Sequence, residues 1–415
     1  MKLFEKGSGF KSGLRDLPGH LNGSTIAAGL ISSVFGCTGP ALVVISASSA
    51  AGFTTADTVT WIFGIYVFGG LLGMLLALYY KMPISGAYSI PGATLMGAAL
   101  AGYTFNQAAG AFIIAGVIVL IIGVTGLIGK IMKFLPLEIV MAMVAGCMLK
   151  FGLNIVTYTQ KDIIVCGSSV LAFFIIPRIF KKFPAVLAAL VVGVVVALLT
   201  GGFSGGNMGS VSYIAPRLIK PAFSGSLILS CSIPLAALVI GAENAQAMGV
   251  LKAQGYDVPA NGMTVASGIG GIVSGLFGAH NANIAGPMTA ICASDEAGAK
   301  EGRYAASVVN GITFAVFGLV ASYAIGFVNL IPIGLTYVLA GLAMINVLIQ
   351  SFRDAFKSGK YKVGAFFALI VGVSGISLLH IGSAFWALVF GVVISLICDY
   401  KDFKGKPAAA AAAVE

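Results

Sequence analysis

Charged residues are scarce in this chain. Asp, Glu, Lys and Arg make up only 9% of its 415 residues, whereas hydrophobic residues make up 58% and the mean hydropathy is +1.01. Soluble globular domains carry about 25% charged residues. The composition therefore excludes a soluble domain and predicts a polytopic membrane protein. The net charge of +10 is better explained by basic cytoplasmic loops than by nucleic-acid binding, so we expect no nucleic-acid partner.

Motifs for chemistry are also missing. The six cysteines form no CxxC pair and no Cys/His cluster, which argues against disulfides and a metal site. No phosphate-binding glycine loop, Ser/His/Asp triad or HExxH motif is present. We therefore predict neither an enzyme nor an ATP-driven machine, and no cofactor. Residues 1–20 are polar and basic without the apolar stretch of a signal peptide, which indicates a cytoplasmic leader.

Apolar runs recur along the rest of the chain and predict fourteen all-α transmembrane segments. A Gly/Ser-rich connector at 202–230 divides them into two sets of seven. A cytoplasmic tail at 400–415 follows them, and its sequence is of low complexity from Lys406 onward. The segments are 21–48, 57–80, 84–102, 107–129, 136–152, 162–179, 184–201, 231–251, 259–277, 279–294, 304–328, 331–350, 362–379 and 383–399.

The basic residues set the expected orientation. With both termini in the cytoplasm, every Lys and Arg lies on the cytoplasmic side except Lys150, Lys161, Arg217 and Lys220. Cytoplasmic loops of membrane proteins are enriched in Lys and Arg. The distribution thus supports the count of segments and predicts a multi-pass membrane protein with both termini in the cytoplasm.

An odd number of segments in each half requires the second half (231–399) to be inverted relative to the first (21–201). Segments 3 and 10 hold the same place in the two halves, and both contain a Gly-Ala-aromatic or Gly-Ala-His start, a Gly/Pro break and a short apolar helix. Matched broken segments are the best sequence sign of the binding site in transporters with inverted repeats.

The range 278–294 is the clearest of these breaks. Only about eight residues of helix follow Pro287, roughly 12 Å of the ~30 Å that a membrane span requires. The residues before it must be extended and shielded from lipid, because their backbone groups lack partners within the segment. A half-helix that begins at the Gly286-Pro287 break would direct free N–H groups and a positive dipole end into a cavity for an anionic or polar solute.

Glu243 is the only acidic residue deep within a predicted segment. A carboxylate in hydrocarbon is costly, so it should face the protein interior or a water-filled cavity. Apolar surroundings favour the protonated carboxyl, which makes Glu243 a candidate for proton coupling; the alternative is a purely structural carboxylate. Gln246, one turn further, either contacts substrate or only supports Glu243, and Asn244 is expected to bridge helices.

Polar residues precede the break in segment 10. His280 is a candidate for substrate binding and a second candidate for the proton, or else a histidine satisfied by the backbone. Asn281 and Asn283 share one face of an extended strand and are candidates for substrate binding, or for pairing the strand edge.

The counterparts in segment 3 are Tyr88 and Ser89. An aromatic ring at this place can stack on a planar solute or simply pack. Thr38 precedes a Gly-Pro pair in segment 1 and is predicted to line the same cavity.

At these residues the sequence resembles the benzoate:proton symporter (BenE) family of bacteria. The resemblance rests on 241–247 (Gly-Ala-Glu-Asn-Ala-Gln-Ala), 278–281 (Gly-Ala-His-Asn) and 284–294, and extends over the whole chain. It implies the fold shared by uracil, nucleobase–ascorbate and sulfate-permease-type transporters. In that fold segments 1–4 (about 21–129) and 8–11 (about 231–328) form a core domain. Segments 5–7 (about 136–201) and 12–14 (about 331–399) form a gate domain.

The resemblance also implies a substrate between the half-helices of segments 3 and 10, facing segment 8, and movement of the core against the gate, often in a dimer. Nucleobase carriers have acidic residues on segment 8 and at the segment-10 break. Here Glu243 fits the first position, whereas 280–283 offers no acid. This departure suits an anion better, because helix N-termini and neutral donors favour a carboxylate and a second acid would repel it.

The sequence thus predicts a secondary transporter that imports benzoate or a related aromatic carboxylate together with protons. Its carboxylate would lie near Ser89, Gly92, Asn283 and Gly286, with its ring against Tyr88. The alternatives are a nucleobase or an inorganic anion on the same fold, or an anion channel. The expected partners are the substrate, protons, the lipid bilayer and a second copy of the chain.

Overall fold

A computed structural model describes residues 4–127, 136–180, 183–201, 213–379 and 383–404. The chain is mostly helical, and its elements follow here in order. They are α1 (Phe10–His20), α2 (Gly23–Cys37), α3 (Gly39–Ala50), α4 (Thr55–Tyr80), β1 (Gly86–Tyr88), α5 (Ile90–Ala99), α6 (Phe105–Thr125), α7 (Leu137–Lys161), α8 (Val165–Ile179), α9 (Ala185–Leu199), α10 (Gly225–Ala253), α11 (Ala260–Gly275), β2 (Ala282–Ile284), α12 (Gly286–Cys292), α13 (Tyr304–Leu319), α14 (Ala321–Leu330), α15 (Ile333–Phe356), α16 (Lys362–Ser374), α17 (Ser383–Cys398) and α18 (Tyr400–Lys404).

Every predicted segment overlaps a helix or a strand–helix pair. Among the described residues six helical stretches are long and apolar enough to cross a membrane: α4, α6, α7, α10, α15, and α2 and α3 taken together. Parts of the prediction lie outside the described residues: 1–3 of the leader, the end of segment 4 (128–129), 202–212 of the connector, and 405–415 of the tail. The same applies to six of the basic residues used for the orientation, Lys2, Lys130, Lys133, Lys181, Lys182 and Lys406.

Several predicted boundaries were wrong. Segment 1 is two helices, because Pro40 lacks the N–H that a continuous helix needs and the chain breaks at Thr38. Helix α7 continues to Lys161 rather than ending at 152, since its polar last turns remain helical beyond the apolar stretch. Helix α10 begins within the predicted connector, at Gly225. The predicted segment 304–328 is divided at Val320 into α13 and α14.

The two strands bring the two broken segments together. Strands β1 and β2 pair antiparallel, with Gly86 opposite Ile284 and Tyr88 opposite Ala282. The backbone N–H of Ala285 donates to the carbonyl of Ser85 at 2.9 Å and extends the pairing by one step. All residues of both strands are buried, so their backbone groups are shielded from lipid as the sequence requires.

The helices pack in two groups. Helix α13 packs on α2 and α4, and α11 packs on α6. In the other group α7 packs on α15 and α16, α16 on α17, and α8 on α9. Helices α3 and α5 lie between the groups, since α3 contacts both α5 and α15, and α5 contacts α7.

The two ends of the molecule are distinguished by their contacts with α4. The leader helix α1 is attached at the carboxyl end of α4, where the N–H of Gly9 donates to the carbonyl of Tyr79 at 3.0 Å. At its amino end Arg217 of the connector forms an ion pair with Asp57 at 2.5 Å. The connector therefore crosses the end of the molecule opposite to α1.

Glycines on α4 allow β1 to lie directly against this helix. A Cβ atom on Gly73 would overlap the backbone nitrogen of Gly86 and lie 2.8 Å from its Cα atom. A Cβ atom on Gly69 would lie 2.9 Å from the Cα atom of Ala87. Because backbone cannot move aside as a flexible side chain can, these two positions require glycine.

We expect Gly73→Ala to destabilise the protein by about 1–3 kcal/mol, the usual cost of overpacking a filled core. The measurement is thermal unfolding of the detergent-solubilised protein. Gly249→Ala in α10 is the matched control, because nothing lies within 4 Å of its added Cβ atom and alanine favours a helix. Equal melting temperatures for the two variants would contradict the close contact of α4 with β1.

Candidate functional site

The carboxylate of Glu243 lies between the amino ends of the two half-helices. Its Oε1 accepts a hydrogen bond from the N–H of Ile90 at 3.3 Å, and its Oε2 accepts one from the N–H of Gly286 at 3.2 Å. Ile90 and Gly286 are the first residues of α5 and α12, so these are the unpaired N–H groups at positive dipole ends. Glu243 itself is only 3% exposed. The Glu243 carboxylate thus lies between the two helix ends, where we predicted the carboxylate of the substrate.

A π-helical turn of α10 presents Glu243. Residues Val239–Asn244 form this turn, which widens the helix relative to the regular α-helical segments on either side. Such turns are frequently found at functional sites. Helix α7 packs against the same turn, and it also packs against α5. The carboxylate therefore lies near the junction of the two groups of helices.

His280 connects three elements through its ring. Nδ1 accepts a hydrogen bond from the indole N–H of Trp61 at 2.8 Å, and Nε2 lies 3.0 Å from the carbonyl oxygen of Ser89. An indole N–H can only donate and a carbonyl can only accept, so the geometry requires the neutral ring with its hydrogen on Nε2. Both ring nitrogens are occupied, and a proton added at Nδ1 would point at the indole N–H.

Tyr88 is buried and fully paired. Its hydroxyl lies 2.8 Å from that of Tyr66, which donates to the carbonyl of Gly36 at 2.5 Å. Its ring meets the ring of His280 edge-on, with centroids 5.5 Å apart. The hydroxyl of Thr38 is bonded to the carbonyl of Val34 at 2.8 Å. The carbonyl of Gly36, just before the break in segment 1, therefore links this segment to the pair of tyrosines. The hydroxyl of Thr38, which was predicted to line the same cavity, is bonded to its own helix.

The two helix ends are surrounded by four of the predicted site residues, Ser89, Gly92, Gln246 and Gly286. The Oγ of Ser89 caps α5 by accepting the N–H of Gly92 at 3.0 Å. The side chain of Gln246 lies against Gly286, where an added Cβ atom would be 2.7 Å from the Cβ atom of Gln246. Unlike Glu243, Gln246 is exposed. It is therefore the polar side chain beside α12 that a solute can reach.

Asn281 and Asn283 are not shown to face the carboxylate. Asn281 has a positive φ of 31° and packs against Gly271 of α11. Both side chains are fully buried, and within the described residues neither amide has a hydrogen-bond partner. Groups of this kind usually bind ordered water.

Sequence reasoning missed three residues of this site. Trp61 and Tyr66 are fully buried on α4, and their polar atoms hold His280 and Tyr88. Ser267 of α11 donates to Asn244 at 3.0 Å and accepts the N–H of Ile284 at 3.3 Å. The only available signal was that Trp61 is one of two tryptophans in the chain.

Two half-helices whose amino ends meet at a buried acid are typical of the binding site of a membrane transporter, and solved structures share the fold of this chain. The transmembrane domain of the cyanobacterial bicarbonate transporter BicA matches with a TM-score of 0.59, at 16% identity, over 92% of this chain and 98% of that one. SLC26A9 matches with a TM-score of 0.64, at 14% identity, over 92% of this chain and 67% of that one. These similarities show a shared fold.

The sequence comparisons show the family. The model of the benzoate membrane transport protein (BenE) family matches residues 19–397, and the chain belongs to this family. It is 32% identical to the inner membrane protein YdcO of Escherichia coli, over 90% of this chain and 97% of that protein. It is 25% identical to the benzoate membrane transport protein of Acinetobacter baylyi, over 90% of this chain and 95% of that protein.

Proposed function

We propose that the protein imports benzoate or a related aromatic carboxylate together with protons. The observation that carries this proposal is the pair of hydrogen bonds that Glu243 accepts from Ile90 and Gly286. Two helix N-termini that hold one carboxylate can hold another. The benzoate transport protein of A. baylyi, a relative over almost the whole chain, supports the choice of substrate.

The substrate carboxylate and the Glu243 carboxylate compete for the same two N–H groups. Two unit negative charges about 4 Å apart repel each other by roughly 4 kcal/mol at an effective dielectric constant of 20. Protonation of Glu243 removes this repulsion and weakens its hold on the N–H groups, which frees them for the substrate. Proton binding and substrate binding therefore favour each other, and by linkage the effect is reciprocal.

The roles of the other residues follow from their contacts. Gln246 is exposed beside Gly286, and its amide N–H can donate to a bound carboxylate. Ser89 and Gly92 shape the end of α5, and Tyr88 forms a buried wall next to it. His280 has no free nitrogen, so we assign the coupling proton to Glu243 and give His280 the task of positioning Ser89.

At the scale of the whole chain we propose fourteen segments in two inverted repeats, with α2–α6 and α10–α14 as the core and α7–α9 and α15–α17 as the gate. The packing of the helices in two groups supports this division. Both termini would be cytoplasmic and the protein would lie in a bacterial inner membrane, in keeping with the basic residues. We also propose that the core moves against the gate and that the chain forms a homodimer.

An inorganic anion is the second candidate substrate. Helix N-termini bind any small anion, and the solved structures of this fold include a bicarbonate transporter and a protein described as an anion transporter. A nucleobase is less suited, because Glu243 is the only buried acidic residue at the two helix ends among the described residues.

The test is the initial rate of labelled benzoate uptake into proteoliposomes, with and without an inward proton gradient. Protein-free vesicles must be subtracted, because neutral benzoic acid crosses bilayers unaided. We expect a protein-dependent rate that the gradient stimulates, and a protonophore should abolish this stimulation. Protein-dependent uptake of labelled bicarbonate or sulfate, with no protein-dependent benzoate uptake, would instead select the inorganic anion.

A further inference from the structure

A large cavity lies away from Glu243, at the end of the molecule that the connector crosses. Its volume is about 870 Å³, and its walls come from α5, α7, α16 and the beginnings of α10 and α17. Tyr103 and Ser226 mark its outer part, where their hydroxyls are 2.9 Å apart. Cavities of this size hold small organic ligands, and this one separates the α5–α10 side of the molecule from the helices of the α7 group.

Among the described residues that line the cavity, Lys150 is the only charged one. It lies on α7 and is exposed. None of the ion pairs in the described parts of the chain involves it. Its ammonium group therefore gives the cavity an uncompensated positive charge, which attracts anions and repels cations.

Ser230 adds a polar group with no partner. It belongs to a second π-helical turn of α10, Ile228–Ser232, is 2% exposed and lines the cavity. Within the described residues its hydroxyl forms no hydrogen bond. A buried hydroxyl next to a cavity can donate to a ligand oxygen. The cavity is also lined by apolar side chains, among them Leu95, Leu149 and Leu153.

We propose that this cavity is an entry site for aromatic carboxylates, in which Lys150 attracts the carboxylate, Ser230 donates to it and the leucines contact the ring. The inference rests on the proposed function and adds a second binding place to it. The cavity reaches Thr94, four residues beyond Ile90 on α5, which is about 6 Å along the helix. A molecule in the entry site is thus one helical turn from the N–H group that Glu243 holds.

The first test measures initial benzoate uptake by intact cells, in which the external face meets the substrate. We expect Lys150→Gln to raise KM about fivefold, the effect of losing one charge contact in water, with an unchanged maximal rate. Added salt should raise the wild-type KM and have much less effect on the variant. Lys150→Arg should behave as wild type, and so should Lys161→Gln, which removes a charge at the exposed end of the same helix.

An unchanged KM and salt dependence in Lys150→Gln, or the same change in Lys161→Gln, would overturn the entry site. If the wild type takes up no benzoate beyond cells that lack the protein, the proposed function fails instead. A second measurement then decides on the entry site, because it requires binding and no transport.

For this measurement a cysteine replaces Leu153, which lines the cavity and is 57% exposed. A membrane-impermeant thiol reagent modifies the cysteine, and mass spectrometry measures the extent of modification at residue 153. We expect benzoate to slow the modification of Leu153→Cys and to lose this effect when Lys150→Gln is added. Val156→Cys, on the same helix but outside the cavity lining, is the control and should be unaffected. Absence of protection at 153, or equal protection at 156, would overturn the proposal.

Discussion

Replacing Glu243 with glutamine is expected to abolish the stimulation of benzoate uptake by a proton gradient. An inward gradient of one pH unit supplies about 1.4 kcal/mol per proton, which corresponds to a stimulation of up to about tenfold in the wild type. In Glu243→Gln the ratio of initial rates with and without the gradient should be about one. The amide has the shape of the carboxyl group, but it cannot take up or release a proton.

The same variant is expected to retain exchange of internal for external benzoate. The glutamine NH2 group can only donate, yet it would face the backbone N–H of one helix end, which also only donates. The amide therefore binds the N–H groups of Ile90 and Gly286 less well than a carboxylate does. Glu138→Gln is the control, because Glu138 lies at the start of α7 and bonds Ser358 rather than the helix ends. Full gradient stimulation in Glu243→Gln would remove the coupling role from this residue.

Two substitutions of His280, to glutamine and to alanine, are expected to give different results. Glutamine offers one acceptor and one donor side by side, so His280→Gln can accept from Trp61 and donate to the Ser89 carbonyl. We expect it to keep the gradient stimulation. His280→Ala leaves both buried partners unpaired, which costs about 1–3 kcal/mol for each group, and should lower the melting temperature by several degrees.

The two readouts separate positioning from proton transfer. Thermal unfolding shows whether the connection of Trp61 to Ser89 is kept, and the ratio of uptake rates shows whether coupling is kept. A His280→Gln protein that is as stable as wild type but insensitive to the gradient would assign the proton to His280 and contradict the structural argument. Trp61→Phe, which removes the indole donor, should reduce stability and leave the coupling intact.

The broken segments could be predicted from the sequence because proline and glycine act locally. Pro287 and Pro91 lack the backbone N–H that a regular helix interior needs, and each falls in the first turn of a half-helix. The buried position of Glu243 could also be predicted, because a lone acid in an apolar segment must have a polar partner. The antiparallel register of β1 and β2 could not, since it depends on contacts between residues about two hundred positions apart.

Other features of the site depend on the packed structure. The π-helical turn that presents Glu243 could not be predicted, because no sequence pattern within Val239–Asn244 distinguishes it from the α-helix on either side. The tautomer of His280 is set by Trp61, 219 positions earlier in the chain. The continuation of α7 to Lys161 and the start of α10 at Gly225 were missed because hydropathy marks the apolar part of a helix rather than its ends.

The measurement that tests competition between Glu243 and the substrate most directly is proton uptake on benzoate binding, in weakly buffered solutions of the purified protein. At a pH where Glu243 is ionised, the wild type should take up about one proton for each benzoate bound, and its affinity should rise as the pH falls. Glu243→Gln should bind benzoate with no proton uptake and with an affinity independent of pH. Binding of benzoate to the wild type without proton uptake would show that both carboxylates fit the site at once, and would contradict the mechanism.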